Sequence, residues 1–248
     1  MKVSIDELKK RYLETKANEK GWIWTYYVRR PISYYLAIFF LYFDISANKV
    51  TLLFIFTGII GSLLLAVGDY TISISGALLI ELAIILDCVD GNIARVKRPT
   101  VLGNTLDTWG GEIILVLSMS MLGIGLSVKD DLLTITILRE WGLDSSIYVY
   151  IGFFAALSTL GAWAAKNNWQ VIIKRIDGLI SMPRRNTFII ENIFHYSGAY
   201  SITMLVFAVL NLLDIFLSLV FIVYTINLGA TLFSIVKRAR ELDNNYGS

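Results

Sequence analysis

Six long stretches of mostly apolar residues follow one another after the first fifty residues of the chain. A helix needs about 20 such residues to cross a hydrocarbon core about 30 Å thick. The chain is 56% hydrophobic with a mean hydropathy of +0.63, which is more apolar than an ordinary soluble domain. The sequence therefore predicts an all-α integral membrane protein with six transmembrane helices. The predicted spans are 50–67, 72–94, 104–126, 146–165, 193–212 and 214–236.

The first 49 residues have a different character from these spans. Residues 4–20 are highly charged and begin with a Ser4 cap followed by Glu7, the pattern of a helix start. Residues 22–43 are aromatic and apolar, with Arg29 and Arg30 near their start. Aromatic rings and arginines suit the membrane surface, so we predict an interfacial amphipathic helix here, the alternative being a seventh span. The predicted domains are a cytoplasmic and interfacial region at 1–49, a six-helix transmembrane domain at 50–240 and a cytoplasmic tail at 241–248.

Three carboxylates lie at the junction of the second and third predicted spans. Ionisable groups at membrane depth are costly unless they serve a function. Asp87 and Asp90 are three residues apart, so a helix places them on one face, near enough to hold a hard cation between them. Asp107, from the next helix, is positioned either to complete the oxygen cage or to bridge to a second ion. The pattern predicts a site for a divalent cation held by these three residues.

Residues beside these carboxylates favour a phosphate ligand. Gly91 and Ala94 keep one helix face thin, so a bulky group can approach the backbone. Arg95, one turn beyond Gly91, carries a fork of donors that matches phosphate oxygens. Metal ligands, a thin helix face and an arginine together indicate a pyrophosphate.

The motif D-C-V-D-G-N-I-A-R, followed after seven residues by G-N-T-L-D, resembles the signature of the CDP-alcohol phosphotransferases. The stretch I-S-A-N-K-V-T at 45–51 is similar to the start of that family's first membrane helix, and the similarity implies that Asn48 and Thr51 line a nucleotide pocket. The matching signature positions are Asp87, Asp90, Gly91, Ala94, Arg95, Gly103 and Asp107.

The resemblance implies a membrane enzyme of phospholipid or polyol-phosphodiester synthesis. Such an enzyme transfers a substituted phosphate from a CDP-linked donor to an alcohol acceptor, either a lipid or a polyol phosphate, and releases CMP. The metal would be Mg²⁺ or Mn²⁺ on Asp87, Asp90 and Asp107, and Gly91, Ala94, Arg95 and Gly103 would hold the phosphate and nucleotide. The resemblance also implies a homodimer in contact with membrane lipids.

The chain departs from the family pattern at the position of the fourth signature aspartate, which is Gly111 here. Glycine can neither bind a metal nor accept the proton of the attacking hydroxyl. Glu112 is the candidate base, although one residue turns a helix by about 100°. The alternative is a family member without turnover, acting as a membrane nucleotide-binding, lipid-binding or assembly subunit. A transporter that uses buried acids is a further alternative.

The distribution of basic residues predicts the orientation in the membrane. All but Lys129 and Arg139 of the 22 Lys and Arg residues fall on the side that holds both termini and the carboxylates. By the positive-inside rule that side is the cytoplasm, so the active site would face the cytoplasm from the cytoplasmic membrane. This orientation in the membrane accounts for the basic residues, so a nucleic-acid partner is not needed to explain them.

A basic loop follows the fourth predicted span. Its charges are explained either by contact with lipid headgroups or by a pocket for the phosphate of the acceptor. The residues concerned are Lys174, Arg175, Arg184 and Arg185. Glu81 lies in the middle of a predicted span and has to face a partner or a cavity, while Cys88 and His195 are interpreted as packing residues.

Overall fold

The computed structural model describes residues 5–129, 132–134, 139–177 and 189–246, and all regular structure in these ranges is helical. Side chains of residues 174–177, 189–191 and 245–246 lie outside this description. A short π-helical turn, Thr25–Arg29, leads directly into the second helix. The helices are α1 Ile5–Asn18, α2 Arg30–Tyr42, α3 Ala47–Leu65, α4 Tyr70–Lys97, α5 Val101–Ser127, α6 Ile147–Asp177, α7 Ile189–Phe194, α8 Tyr200–Val209 and α9 Leu213–Tyr246.

Five of the described helices, α3, α4, α5, α6 and α9, are long and apolar enough to cross a membrane. The membrane-type, all-α architecture predicted from the sequence is thereby confirmed. The number of six spans is not confirmed. Helix α9 continues through Tyr246, so it extends past residue 240, where the predicted transmembrane domain ends.

The fifth predicted span, 193–212, is divided in the structure. It contains the end of α7, a turn at residues 195–199 and the ten-residue helix α8. At 1.5 Å per residue α8 is about 15 Å long, half the thickness of a hydrocarbon core. Tyr70 donates a hydrogen bond from Oη to the backbone oxygen of Val209 (2.8 Å), which joins the end of α8 to the start of α4. A hydropathy pattern detects the apolar residues but not this break in the backbone.

Helices α3 and α4 pack closely along their lengths because each presents a glycine to the other. A Cβ atom placed on Gly61 would lie 2.8 Å from the backbone oxygen of Gly76, and one on Gly76 would lie 2.7 Å from that of Gly61. Side chains at these positions would force the backbones apart. Small residues at helix contacts are typical of packing in membranes, where apolar side chains gain little from leaving lipid.

The junction between α4 and α5 is a tight connection. Helix α4 ends at Lys97, and Arg98 follows with a φ of 86°, in the left-handed region that non-glycine residues seldom adopt. Pro99 then prevents the helix from continuing. Thr100 caps α5 by accepting a hydrogen bond from the Gly103 backbone nitrogen (2.9 Å). The turn therefore returns the chain at once, so that the end of α4 and the start of α5 lie together.

The N-terminal region packs on this end of the bundle. Leu8 and Tyr12 of α1 are buried, and α1 and α2 both pack against α4. Ser33 of α2 accepts a hydrogen bond from Asn92 Nδ2 of α4 (3.1 Å). These helices are part of the packed structure around the carboxylates rather than an appendage to it.

Candidate metal and phosphate site

Three carboxylates from two helices converge beside the α4 to α5 junction. Asp87 and Asp90 lie one turn apart near the C-terminal end of α4, and Asp107 lies in the second turn of α5. One oxygen from each residue lies within 4.8 Å of the others. Asp90 is only 3% exposed, and Asp87 and Asp107 are half-buried. The structure therefore brings the three predicted metal ligands into one compact group, named the aspartate cluster below.

Helix α3 orients one member of the aspartate cluster. Thr51 Oγ1 donates a hydrogen bond to Asp90 Oδ2 at 2.6 Å, and Thr51 is itself 2% exposed. A short hydrogen bond to a carboxylate in a buried position is strong and directional. It fixes the Asp90 side chain and uses one of its two oxygens, so the other oxygen is the natural one for a metal.

The start of α3 also contacts the start of α5. Thr100 Oγ1 donates to Asn48 Oδ1 (3.0 Å), and a Cβ atom on Gly103 would lie 2.5 Å from the same Asn48 oxygen. A side chain at position 103 would push the Asn48 amide and the Thr100 hydroxyl out of these positions. Asn48 and Thr51, named from a separate stretch of sequence, thus lie at the same end of the bundle as the aspartate cluster.

Arg95 lies across the thin face of α4. Arg95 is an exposed residue, and a Cβ atom on Gly91 would lie 3.3 Å from Arg95 Nη1. The same nitrogen donates to Asn92 Oδ1 at 3.3 Å, a long and weak hydrogen bond. Ala94 is half-buried beside it. Arg95 therefore retains most of its donors for another partner.

Arg30 is a site residue that the motif does not include. It is 7% exposed, and Glu19 holds its Nε and Nη2 atoms in a two-pronged ion pair. Its Nη1 is buried and has no hydrogen-bond partner among the residues that the structure describes. Arg30 is near enough to Asp87 for their charges to interact. The sequence signal for Arg30 is the pair Arg29 and Arg30 before Pro31, and this pattern by itself favours a position at the membrane surface.

Glu81, which had no assigned role, is the centre of a buried ion pair. Arg29 donates from Nε to Glu81 Oε1 (3.1 Å) and from Nη2 to Oε2 (2.9 Å), and the Arg29 side chain is fully buried. Trp24 Nε1 also donates to Glu81 Oε1 (3.0 Å). The remaining partners of Arg29 are Thr25 Oγ1, Ser201 Oγ and the backbone oxygens of Tyr196 and Gly198. This network fastens the N-terminal segment to α4 and to the turn before α8.

Position 111 faces an aromatic ring. A Cβ atom on Gly111 would lie 3.4 Å from Cε1 and Cζ of Tyr196 and 3.5 Å from its hydroxyl oxygen. Glu112 does not belong to the carboxylate group within 4.8 Å, and its Oε2 is buried without a hydrogen-bond partner among the described residues. Nothing in the sequence pattern placed Tyr196 beside Gly111, because the two are 85 positions apart.

Only some of the other predicted site residues lie within the part of the chain that the structure describes. Arg184 and Arg185 lie outside the described residues, and the side chains of Lys174 and Arg175 lie outside the described side chains. His195 stacks on Trp22, with ring centroids 4.7 Å apart, and its Nδ1 accepts a hydrogen bond from the Ser197 backbone nitrogen (3.1 Å). Cys88 is buried.

Comparison with known proteins adds no family assignment to this geometry. No protein-family model matches the chain, and no curated protein matches it. The interpretation of the aspartate cluster rests on its residues and their arrangement.

Proposed function

We propose that the protein is a metal-dependent CDP-alcohol phosphotransferase of the membrane. It transfers a substituted phosphate from a CDP-linked donor to an alcohol acceptor and releases CMP. The observation that carries this proposal is the aspartate cluster, in which Asp87, Asp90 and Asp107 come from two helices and place their oxygens within 4.8 Å of one another. The signature resemblance supplies the substrate class.

The donor set fits a hard divalent cation. Oxygens on opposite sides of Mg²⁺, Mn²⁺ or a similar ion are about 4 to 5 Å apart, which matches the spread of the aspartate cluster. None of the three carboxylates has an ion-pair partner within 4.0 Å among the described residues. When bound, the cation would offset their mutual repulsion and the charge of the leaving phosphate.

Two arginines near the aspartate cluster favour a phosphate ligand. Arg95 is exposed and weakly engaged, and Arg30 has a buried nitrogen without a partner among the described residues. Guanidinium donors match phosphate oxygens in geometry and charge. We assign Arg95, on α4, to the binding of the donor diphosphate. Arg30, on α2, is assigned to the same ligand.

The reaction is a displacement at phosphorus. The acceptor hydroxyl attacks the phosphorus that carries the donor's alcohol, a new P–O bond forms, and the P–O bond to CMP breaks. The hydroxyl proton passes to a base, for which Glu112 is the candidate next to position 111. The chain's own residues hold the diphosphate in place, which is most of what such a transfer requires.

The direct test is the affinity of the purified protein for CDP with and without Mg²⁺ or Mn²⁺. We expect metal-dependent binding that Asp90→Ala abolishes. Asp69→Asn is the matched control, because Asp69 caps the opposite end of α4 and asparagine caps equally well. Metal-dependent binding that survives Asp90→Ala contradicts the assignment.

Gly111 favours one alternative, a subunit that binds the nucleotide or lipid without turnover. Gly111→Asp distinguishes the two, and a Cβ atom fits there in ordinary contact with Tyr196. If the wild type binds CDP without releasing CMP and Gly111→Asp releases CMP, the alternative is correct and the missing acid is the reason. Turnover by the wild type excludes it.

The location of the site in the cell is also part of the proposal. The basic residues gather on the side of the predicted membrane that holds the aspartate cluster, so by the positive-inside rule we expect the cluster to face the cytoplasm. Labelling of single cysteines introduced at Asn104 and Ser145 tests this orientation, once Cys88 is replaced by Ser. We expect Asn104→Cys to react from the cytoplasmic side only and Ser145→Cys from the other side only.

A further inference from the structure

The turn between α7 and α8 places a tyrosine against α5, beside Gly111. The Tyr196 ring is partly buried, and its hydroxyl oxygen is buried without a hydrogen-bond partner among the residues that the structure describes. The Tyr196 ring lies against Gly111, which is one helical turn after Asp107 on α5. A buried hydroxyl that donates no hydrogen bond is unfavourable, and such groups are rare in folded proteins. An unpaired hydroxyl beside a group of acids indicates a partner that belongs to the ligand.

The neighbour of this hydroxyl on α5 is Gly111. A Cβ atom built there would lie 3.5 Å from Tyr196 Oη, in ordinary contact, and among the described residues its three nearest neighbours outside the α5 backbone are all atoms of Tyr196. A larger side chain at 111 would extend into the region in front of the hydroxyl. Because glycine has no side chain, the Tyr196 hydroxyl is left uncovered at this position, one helical turn after Asp107.

The backbone of Tyr196 is held firmly. Arg29 Nη1 donates to the Tyr196 backbone oxygen (3.1 Å) and to that of Gly198 (2.8 Å), and Thr25 Oγ1 donates to the oxygen of Ser197 (2.6 Å). Three successive carbonyl groups of the turn are thus fixed by the N-terminal segment, and Glu81 fixes Arg29 in turn. A donor group positioned in advance binds a ligand without a large loss of entropy.

We propose that the Tyr196 hydroxyl is a ligand-binding group of this site and donates a hydrogen bond to a phosphate oxygen of the CDP-linked donor. The inference rests on the proposed function and deepens it, because it assigns a contact that the signature motif does not contain. A neutral phenol is suited to this task, since it donates to a charged oxygen without adding charge to the site.

The test is CDP affinity in the presence of Mn²⁺ for the wild type and for Tyr196→Phe. Loss of one hydrogen bond to a charged oxygen weakens binding by about tenfold. Tyr200→Phe is the matched control, because the Tyr200 hydroxyl pairs with Ser118 Oγ (2.9 Å) inside the bundle and should leave CDP affinity unchanged.

Thermal unfolding without ligand separates a binding role from a structural one. Tyr196→Phe should unfold at the wild-type temperature or above it, since it removes an unpaired hydroxyl, whereas Tyr200→Phe should unfold below it. Equal CDP affinity of the wild type and Tyr196→Phe overturns this inference and leaves the proposed function standing. Absence of CDP binding by the folded wild type overturns both.

Discussion

Helix α4 carries two acidic sites, with Glu81 about 9 Å before Asp87 and about 14 Å before Asp90 along its axis, and they are built in opposite ways. Glu81 is matched by Arg29 through two hydrogen bonds and receives further donors from Trp24 and Ser201. Asp90 in the aspartate cluster receives only the Thr51 hydroxyl among described side chains, and no arginine or lysine pairs with the cluster within 4.0 Å. The difference separates an acid that holds the structure together from acids that await a ligand.

The largest effect is expected at the structural site. Glu81→Ala leaves the Arg29 guanidinium buried without its counter-charge, and breaking such a pair by removing one partner costs about 3–5 kcal/mol. The measurement is the free energy of unfolding or the thermal midpoint of the purified protein. The double variant Arg29→Met with Glu81→Met is the control and should recover much of the loss. A loss no larger than that of a surface substitution would remove the distinction between the two sites.

The aspartate cluster should respond in the opposite sense. Asp107→Asn replaces one of three carboxylate ligands by a neutral amide and should weaken Mn²⁺ binding by about a hundredfold, while relief of repulsion leaves the unfolding temperature unchanged or higher. Titration with Mn²⁺ and a thermal melt without metal measure the two quantities. A marked loss of stability in the absence of metal would show that the cluster is structural after all.

Thr51→Val tests the side chain that orients Asp90. Valine keeps the shape but removes the 2.6 Å hydrogen bond to Asp90 Oδ2. A hydrogen bond to a charged group contributes about 1.5–3 kcal/mol, so Mn²⁺ affinity should fall by about tenfold or more. Thr203→Val is the control, because Thr203 Oγ1 donates to the backbone oxygen of Ile193 and touches no acid. Equal Mn²⁺ affinity of Thr51→Val and the wild type would mean that the Thr51 hydrogen bond does not position Asp90 for metal binding.

The smallest effect is expected at the exposed pair of Asp44 and Lys97. The hydrogen bond and charge of Lys97 lower the pKa of the Asp44 carboxyl. A lowered pKa stabilises the fold above the usual pKa of aspartate, and that stabilisation is lost as the pH falls through the lowered value. Asp44 is fully exposed to solvent, so its contribution is screened. Asp44→Asn should therefore leave the thermal midpoint unchanged between pH 3 and pH 7, within the error of the melt.

The sequence was most informative where a pattern is local. Asp87, Asp90, Gly91 and Arg95 lie within nine residues on one helix, and helical periodicity alone places them near one another. The apolar stretches likewise predicted the five long helices, since hydrophobic length is a property of each segment by itself. The break at residues 195–199 escaped this reasoning because the apolar residues on either side of it dominate a window as long as a span.

The sequence by itself therefore determined the membrane-type helical architecture and the identity of the three acids with their neighbouring arginine. Tertiary structure alone decided which distant residues meet them. The pairing of Arg29 with Glu81 and the approach of Tyr196 to Gly111 join residues that are 52 and 85 positions apart. Such contacts follow from how helices pack and where the chain turns, and neither is encoded in the periodicity of a single segment.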